Sequence, residues 1–485
     1  MAKRQSGVED TVTASNQQDG DATRGDTGHS GMVTGASSPE AGASAGQIQP
    51  KGRSERGLAA LFRALRYRNY RLFISGQLIS LIGTWMQMVA QSWLIYRLTG
   101  SAVLLGFVGF AGQVPVFLLA PFTGALIDRG NRHRIIIGTQ TASMLLAFAL
   151  AILTLTGTVK VWHVFALAAA LGIVNALDIP ARQVFIVEMV GRDDMVNAIA
   201  LNSSMFNAAR IIGPAIAGAL VSAIGEGWCF FANGVSYVAV IAGLLMMKVP
   251  RPARAPKPDS TLAHIREGFS FVYHSRPIRA LLVLLGVISV VAMPYSVLMP
   301  IFADSILHGG PSALGLLMGA SGVGALAGAI TLAPRRGVSG LGKWIALSSA
   351  GFGVSLVAFS MSRQLWLSAV LLLPAGFSMM VEMAASNTLV QTMSPDNLRG
   401  RVMSVYSMMF MGMAPIGSLL AGAAAGRFGA PATVAAGGVI SIIGGAVFGW
   451  RLPALRVEAR RLMITQETAA GDPSRAMTAG TVLPD

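Results

Sequence analysis

Apolar runs long enough to cross a lipid bilayer recur twelve times in this chain, and each one restricts its backbone to a helix. A bilayer core about 30 Å thick is crossed by about 20 helical residues rising about 1.5 Å each. No water is present there to satisfy peptide groups, so each span closes its hydrogen bonds within itself. Six runs, at 72–96, 103–127, 135–157, 162–187, 197–224 and 228–248, precede a polar linker. Six more follow, at 279–303, 312–333, 343–362, 365–389, 402–426 and 431–450. Only 12% of the residues are charged and 53% are hydrophobic, against about 25% charged in soluble domains. The expected class is an all-α membrane protein with 12 transmembrane helices.

A net charge of +15 on a soluble fold would point to nucleic acid. Here the basic residues flank apolar runs, so no nucleic-acid partner is expected. One set of loops carries Arg63, Arg66, Arg68 and Arg71; Arg129, Arg132 and Arg134; Arg251, Arg254 and Lys257; Arg335, Arg336 and Lys343; Arg399 and Arg401; and Arg456, Arg460 and Arg461. The alternate loops carry Arg97, Lys160, Arg363 and Arg427. Cationic loops stay cytoplasmic, which places both termini and the linker on that side of a bacterial-type inner membrane.

Residues 1–56, rich in Gly, Ser, Ala, Thr and Asp, are expected to form a disordered cytoplasmic tail without a signal-peptide core. Residues 57–248 form the first six-helix bundle, 249–278 a cytoplasmic linker, 279–452 the second bundle, and 453–485 another disordered cytoplasmic tail. In the linker, PRPARAPKPD is held extended by proline. Leu262, Ile265, Phe269 and Val272 then recur at helical spacing, after Asp259 or Ser260 as N-cap. That amphipathic helix lies either on the membrane face or against the bundle's own loops.

The halves repeat each other. A shift of 204 places Met205-Phe206 on Met409-Phe410, Gly172 on Gly376, Gly213 on Gly417, Gly218 on Gly422, and Asp178 on Glu382. A shift of 210 aligns Gly100, Gly109 and Gly112 with Gly310, Gly319 and Gly322. Two parallel, pseudo-symmetric six-helix bundles joined by a cytoplasmic linker imply a transporter with its site between the halves.

Ionisable groups inside spans cost at least about 2.5–3.5 kcal/mol on insertion scales and mark pathways or buried pairs. Asp178 and Arg182 are four apart on the fourth helix and can pair. Arg210 lies at mid-membrane depth in the fifth, within reach of Asp178 or an anionic substrate. Glu382 in the tenth helix has no cationic neighbour on its own helix, which makes it the candidate proton site. Asp178 is either a second such site or a structural ion-pair member. Gln77, Gln87 and Gln91 with Trp85 can form a lumen-facing stripe on the first helix, and Gln113 and Asn175 add polar groups to the second and fourth. Methionines such as Met379, Met380 and Met408 serve either as core filler or as adaptable substrate surface. Cys229 is the single cysteine, and the six histidines are scattered. No metal cluster or catalytic triad assembles by spacing, so no cofactor and no enzymatic activity are expected.

The stretch GALIDRGNRHRII, between the second and third spans, carries Gly124, Asp128, Arg129, Arg132 and Arg134. It resembles the loop signature of the major facilitator superfamily, roughly G-x-x-x-D-R-x-x-R-x-R. IPARQVFIVEMV, NAARIIGPAIAG, GEGWCFFANGVSY and LRGRVMSVYS resemble the enterobactin-exporter-like branch of drug and siderophore exporters, over about residues 60 to 450. The resemblance implies a cytoplasmic latch in which Asp128 sits by Arg399 and Arg401 at the start of the eleventh helix. The alternative is that these arginines only set topology. Gly213, Pro214 and Gly218 resemble part of the antiporter signature of the fifth helix, with Ala200, Ala209 and Ala217 at its other glycine positions; small-residue packing accounts for them equally. The arginine that proton-coupled relatives carry early in the fourth helix is missing from VWHVFALAAALG.

The expected function is export of a small amphipathic molecule by alternating access with proton antiport, by a monomer contacting substrate, protons and membrane lipids. A facilitator or importer of the same fold is the alternative, and a membrane-embedded enzyme or sensor a more distant one.

Overall fold

The computed structural model describes residues 63–191, 194–247, 261–335 and 337–469, which contain helices and turns and no strand. Twelve helices among them are long and apolar enough to cross a membrane: Arg68–Thr99, Ala102–Leu119 (within the helix Ala102–Arg129), Arg132–Leu155, Val161–Met189, Asn197–Ile224, Glu226–Leu245, Arg276–Ile306, Gly310–Leu332, Leu341–Met361, Leu365–Met393, Arg399–Phe428 and Ala430–Ile464. They are called spans one to twelve below. The ends are cut by local chemistry: span one stops at Gly100 with φ 61, and Ser101 and Asn131 cap spans two and three with their side chains.

Span seven is not one regular helix. Its first part, Arg276–Val291, gives way to a 3-10 turn at Met293–Ser296, and a π turn occupies Phe302–Ile306. Pro294 and Pro300 remove two backbone donors here, which is why the regular ladder fails. The break presents Tyr295 at mid-span.

The repeat is built into the packing. The ideal Cβ of Gly218 in span five would lie 3.0 Å from the Cα of Gly315 in span eight. That of Gly422 in span eleven would lie 2.9 Å from the Cα of Gly106 in span two. The carbonyl of Pro214 meets Gly315 as that of Ser418 meets Gly106. Spans five and eleven thus correspond at a shift of 204, as the sequence indicates. Spans two and eight correspond at 209, since Gly106 answers to Gly315 and Gly112 to Ser321. The expected register of 210 for these two spans is therefore one residue too long; it matched glycines that do not occupy equivalent crossings.

Both glycine crossings join the first half to the second, and both lie at the end of the bundle that carries Gly100, Gly225, Gly310 and Gly429. Tyr96 and Ser305 share a hydrogen bond across the halves at this closed end, and Ser222 and Ser312 share another at 2.7 Å. The larger cluster of buried apolar side chains runs through both halves. A second cluster, around Tyr70, Phe73, Ile136, Phe185 and Leu244, belongs to the first half alone, at the opposite end, which carries the loop between spans two and three and is called the hinge end below.

The linker and the segment after the last apolar run both carry helix. The linker helix, Thr261–His274, packs against the bundle: the backbone of Arg401 lies against Gly268, Val272 is buried and Phe269 rests on the core. The side chains of Leu262 and Ile265, also expected on its apolar face, lie outside the described residues, as does the PRPARAPKPD stretch expected to be extended. Residues 453–469 are not a disordered tail. The last helix runs unbroken from Ala430 to Ala469 through Pro453. Leu452, Leu455, Ala459 and Met463 make an apolar stripe that packs on the core, so the helix gains burial beyond the apolar run. Residues 1–56 and 470–485 lie outside the described residues.

Candidate functional site

Three polar constellations occupy the interior of the spans. The first belongs to the first half. Asp178 is 2% exposed and pairs with Arg182 at 2.7 Å. Thr139 Oγ1 and Gln140 Nε2 of span three donate to Asp178 Oδ1 at 2.7 and 2.8 Å. A carboxylate paired with a guanidinium and accepting two further bonds is satisfied where it sits. The Thr139 and Gln140 donors are invisible to a search for charge in the sequence, because hydroxyl and amide side chains in a span read as ordinary packing.

The second constellation is its pseudo-symmetric counterpart. Glu382, also 2% exposed, has Ser349 of span nine beside it, whose hydroxyl donates to the Ile345 carbonyl at 2.9 Å, and the Glu382 Oε1 has no hydrogen-bond partner among the described residues. Ser349 answers to Gln140 at a shift of 209, and Ser386 answers to Arg182 at 204. Ser386 is buried and neutral. The two acids thus occupy matching positions in matching frames, and the charge beside each separates them: the first half supplies Arg182 and the second Ser386.

The third constellation lies on the seam. Arg210 of span five places its Cζ 5.9 Å from the Trp85 ring centroid of span one, and its Nη2 3.9 Å from Met379 Sδ of span ten. Trp85 meets Phe206 edge to face at 5.6 Å. The Tyr295 hydroxyl, bonded to Ser321 at 2.7 Å, lies within electrostatic reach of the same guanidinium. Gly213 positions this wall, since any side chain there would run into Trp85 and the Ile82 carbonyl. Gly213 therefore packs within the first half, whereas Pro214 and Gly218 face span eight across the seam. Arg210 does not reach Asp178, whose charge is taken up by Arg182.

The expected glutamine stripe on span one splits. Gln87 is buried and accepts from Asn233 Nδ2 of span six at 2.7 Å, two residues and about 200° around the helix from Trp85. Gln77 is 2% exposed, with Oε1 unpartnered among the described residues. Gln91 and Asn175 are half-buried, while Gln113 is exposed and donates to the Gly109 carbonyl of its own helix.

At the hinge end the charged pairs among the described side chains stay within the first half, or within the second half and the linker that leads into it. Arg132 pairs with Glu188 at the end of span four. Asp194, fully buried, holds Arg63 and Arg66 at 3.3 and 2.6 Å and accepts from the Tyr67 hydroxyl. Arg399 pairs with Asp396 at 2.5 Å, and Arg401 with Glu267 of the linker helix. Arg134 and Gly124 are exposed. The side chains of Asp128 and Arg129 lie outside the described residues. Glu188, Asp194 and Glu267 are partners that the loop signature does not contain.

A family model described as a transmembrane secretion effector matches residues 59–471. A staphyloferrin A transporter of Staphylococcus aureus is 27% identical over 378 residues, covering 77% of this chain and 93% of its own length. The multidrug efflux pump Tap of Mycolicibacterium fortuitum is 27% identical over 361 residues, covering 72% of this chain and 88% of its own. Among solved structures, the nucleoside transporter NupG superposes with a TM-score of 0.61 at 11% identity, over 80% of this chain and 99% of that one. That last likeness shows the major facilitator fold. The relatives are membrane transporters and not enzymes.

Proposed function

From the premise that this chain belongs to the transmembrane secretion effector family of major facilitator transporters, we propose that it is a secondary exporter of a small amphipathic molecule, driven by proton entry. Efflux of drugs and movement of a siderophore are named for its relatives, and molecules of those kinds are the first substrates to test. The observation that carries the coupling is the asymmetry between the buried acids: Asp178 is neutralised by Arg182, and Glu382 faces neutral Ser349 and Ser386. An ionisable group without a counter-ion inside a span is suited to relay a proton.

Alternating access is supported by the one-sided joining of the halves. Crossings at Gly218–Gly315 and Gly106–Gly422 join the halves at one end, while the ion pairs among the described side chains at the other do not cross between them. With the basic loops cytoplasmic, this is the state open to the cytoplasm. Arg132 and Arg134, with Asp128, Arg399 and Arg401, then act at the closing of that end, with Arg132, Arg399 and Arg401 trading Glu188, Asp396 and Glu267 for partners across the seam. The protein works as a monomer in a bacterial inner membrane, with both termini cytoplasmic.

The test uses proteoliposomes with an imposed pH gradient and an acridine dye reporting it. Addition of a substrate drawn from the siderophore or macrolide classes should dissipate the gradient in wild type and leave it intact with Glu382→Gln. A gradient that no candidate disturbs, with candidates still crossing the membrane, would favour the facilitator instead.

A further inference from the structure

The seam holds a charge that the coupling does not use. Arg210 offers five N–H donors in a planar fork, yet the groups that meet it are a thioether sulfur and an indole face. Neither carries negative charge, and no ion pair found among the described residues includes it. A guanidinium in a span is expensive to keep without compensation. Close packing does not explain it either, because its shift-related position in span eleven is Ala414. What distinguishes Arg210 is its place: it stands where spans one, five, seven, eight and ten converge from both halves.

We infer that Arg210 anchors a carboxylate on the transported molecule, with Trp85 and Phe206 taking the flat apolar group attached to it. This rests on the exporter reading above and names the substrate class for its seam. The planar fork matches a carboxylate in bidentate geometry. The edge-to-face Trp85–Phe206 wall lies directly beside that fork and suits an aromatic or fused-ring body. Met379 supplies a deformable contact on the opposite half, and the Tyr295–Ser321 hydroxyl pair supplies a polar contact for an uncharged substituent. A single guanidinium beside one aromatic wall favours a carboxylate-bearing ring over the same ring with that carboxylate neutralised. Because the ligand touches Arg210 from the first half and Met379 from the second, its binding acts on both halves at once.

The experiment measures binding of dansylglycine, a monocarboxylate on a naphthalene ring, and its neutral amide to the full chain in nanodiscs, with empty nanodiscs subtracted. Wild type should bind the carboxylate about tenfold or more tightly than the amide. Arg210→Met should remove that preference while leaving amide affinity within about twofold, and Arg210→Lys should keep part of it, as a point charge replaces a fork. Should Arg210→Met fail to fold, the Lys variant decides by a several-fold drop in the carboxylate-to-amide ratio at unchanged amide affinity. Equal wild-type affinities, no carboxylate binding above empty discs, or a parallel loss of both ligands in the variants would each overturn the proposal; the last would make Arg210 a counter-ion for the protein itself. The same ligands loaded into proteoliposomes separate this from the parent reading: binding preference without efflux would contradict the exporter and leave the anchor standing.

Discussion

Gly218 and Gly315 meet backbone to backbone across the two halves, with an ideal Cβ on Gly315 only 2.8 Å from the Gly218 Cα. The relation is repeated by Gly422 and Gly106, so one pseudo-two-fold contact is used twice to shut one end of the bundle. Small residues let helices approach where lipid offers no hydrophobic drive for association. A branched side chain cannot enter this crossing without parting the helices. Gly218→Leu and Gly422→Leu are each expected to lower the export rate by about tenfold or more through loss of the closed end, while the span content by circular dichroism stays unchanged. Alkylation of a cysteine at Ser312 from the outer face of the membrane, slow in wild type, should become rapid in both variants.

The Asp178–Arg182 pair is expected to be structural. Removing one partner leaves the other charged and buried, a loss of about 3–5 kcal/mol. Asp178→Asn and Arg182→Met should each lower the thermal midpoint in detergent markedly, whereas the two combined should recover most of it. A double-mutant cycle with no coupling energy would contradict the pairing.

Glu382 is expected to behave in the opposite way. Glu382→Gln replaces a buried ionisable group by a neutral amide without stranding a charged partner, so stability should hold or rise. Transport driven by a pH gradient should fall to background, while exchange of labelled for unlabelled substrate across the membrane continues. Retention of pH-driven transport by this variant would remove Glu382 from the coupling.

At the hinge end, Arg132→Glu should slow transport by disrupting its contact with Glu188. Charge reversal at both positions, Arg132→Glu with Glu188→Arg, should restore local pairing. If Arg132 also acts across the seam during closure, the double variant will fold as wild type and still transport slowly, which a rate measurement beside a thermal midpoint will distinguish.

Spans were legible in the sequence because lipid imposes length and apolarity on every one, and the in-span acids because charge stands out against that background. The Asp178–Arg182 pair followed from spacing along a single helix. The groups contributed by neighbouring helices did not follow in the same way: Thr139, Gln140 and Ser349 are common span residues whose role depends on which helix packs alongside. Gln87 looked like a lumen group because it shares a helix with Trp85, yet it turns to Asn233 on the other face. Matching glycines alone gave span two and span eight a register one residue too long, because many glycines in such helices serve contacts inside their own half. The final helix outran its apolar run because Leu455, Ala459 and Met463 bury a stripe among arginines, and average hydropathy hides a stripe of that kind.

Alternating access requires opposite movement at the two ends of the bundle. Spin labels at Ser222 and Ser312 report the closed end, and labels at Arg134 and Gly400 the hinge end, in a Cys229→Ser background reconstituted in nanodiscs. Pulsed electron resonance on both pairs, with and without a transported substrate, should show the first distance lengthening as the second shortens. Distances that stay fixed at both ends, or that change in the same direction, would contradict it.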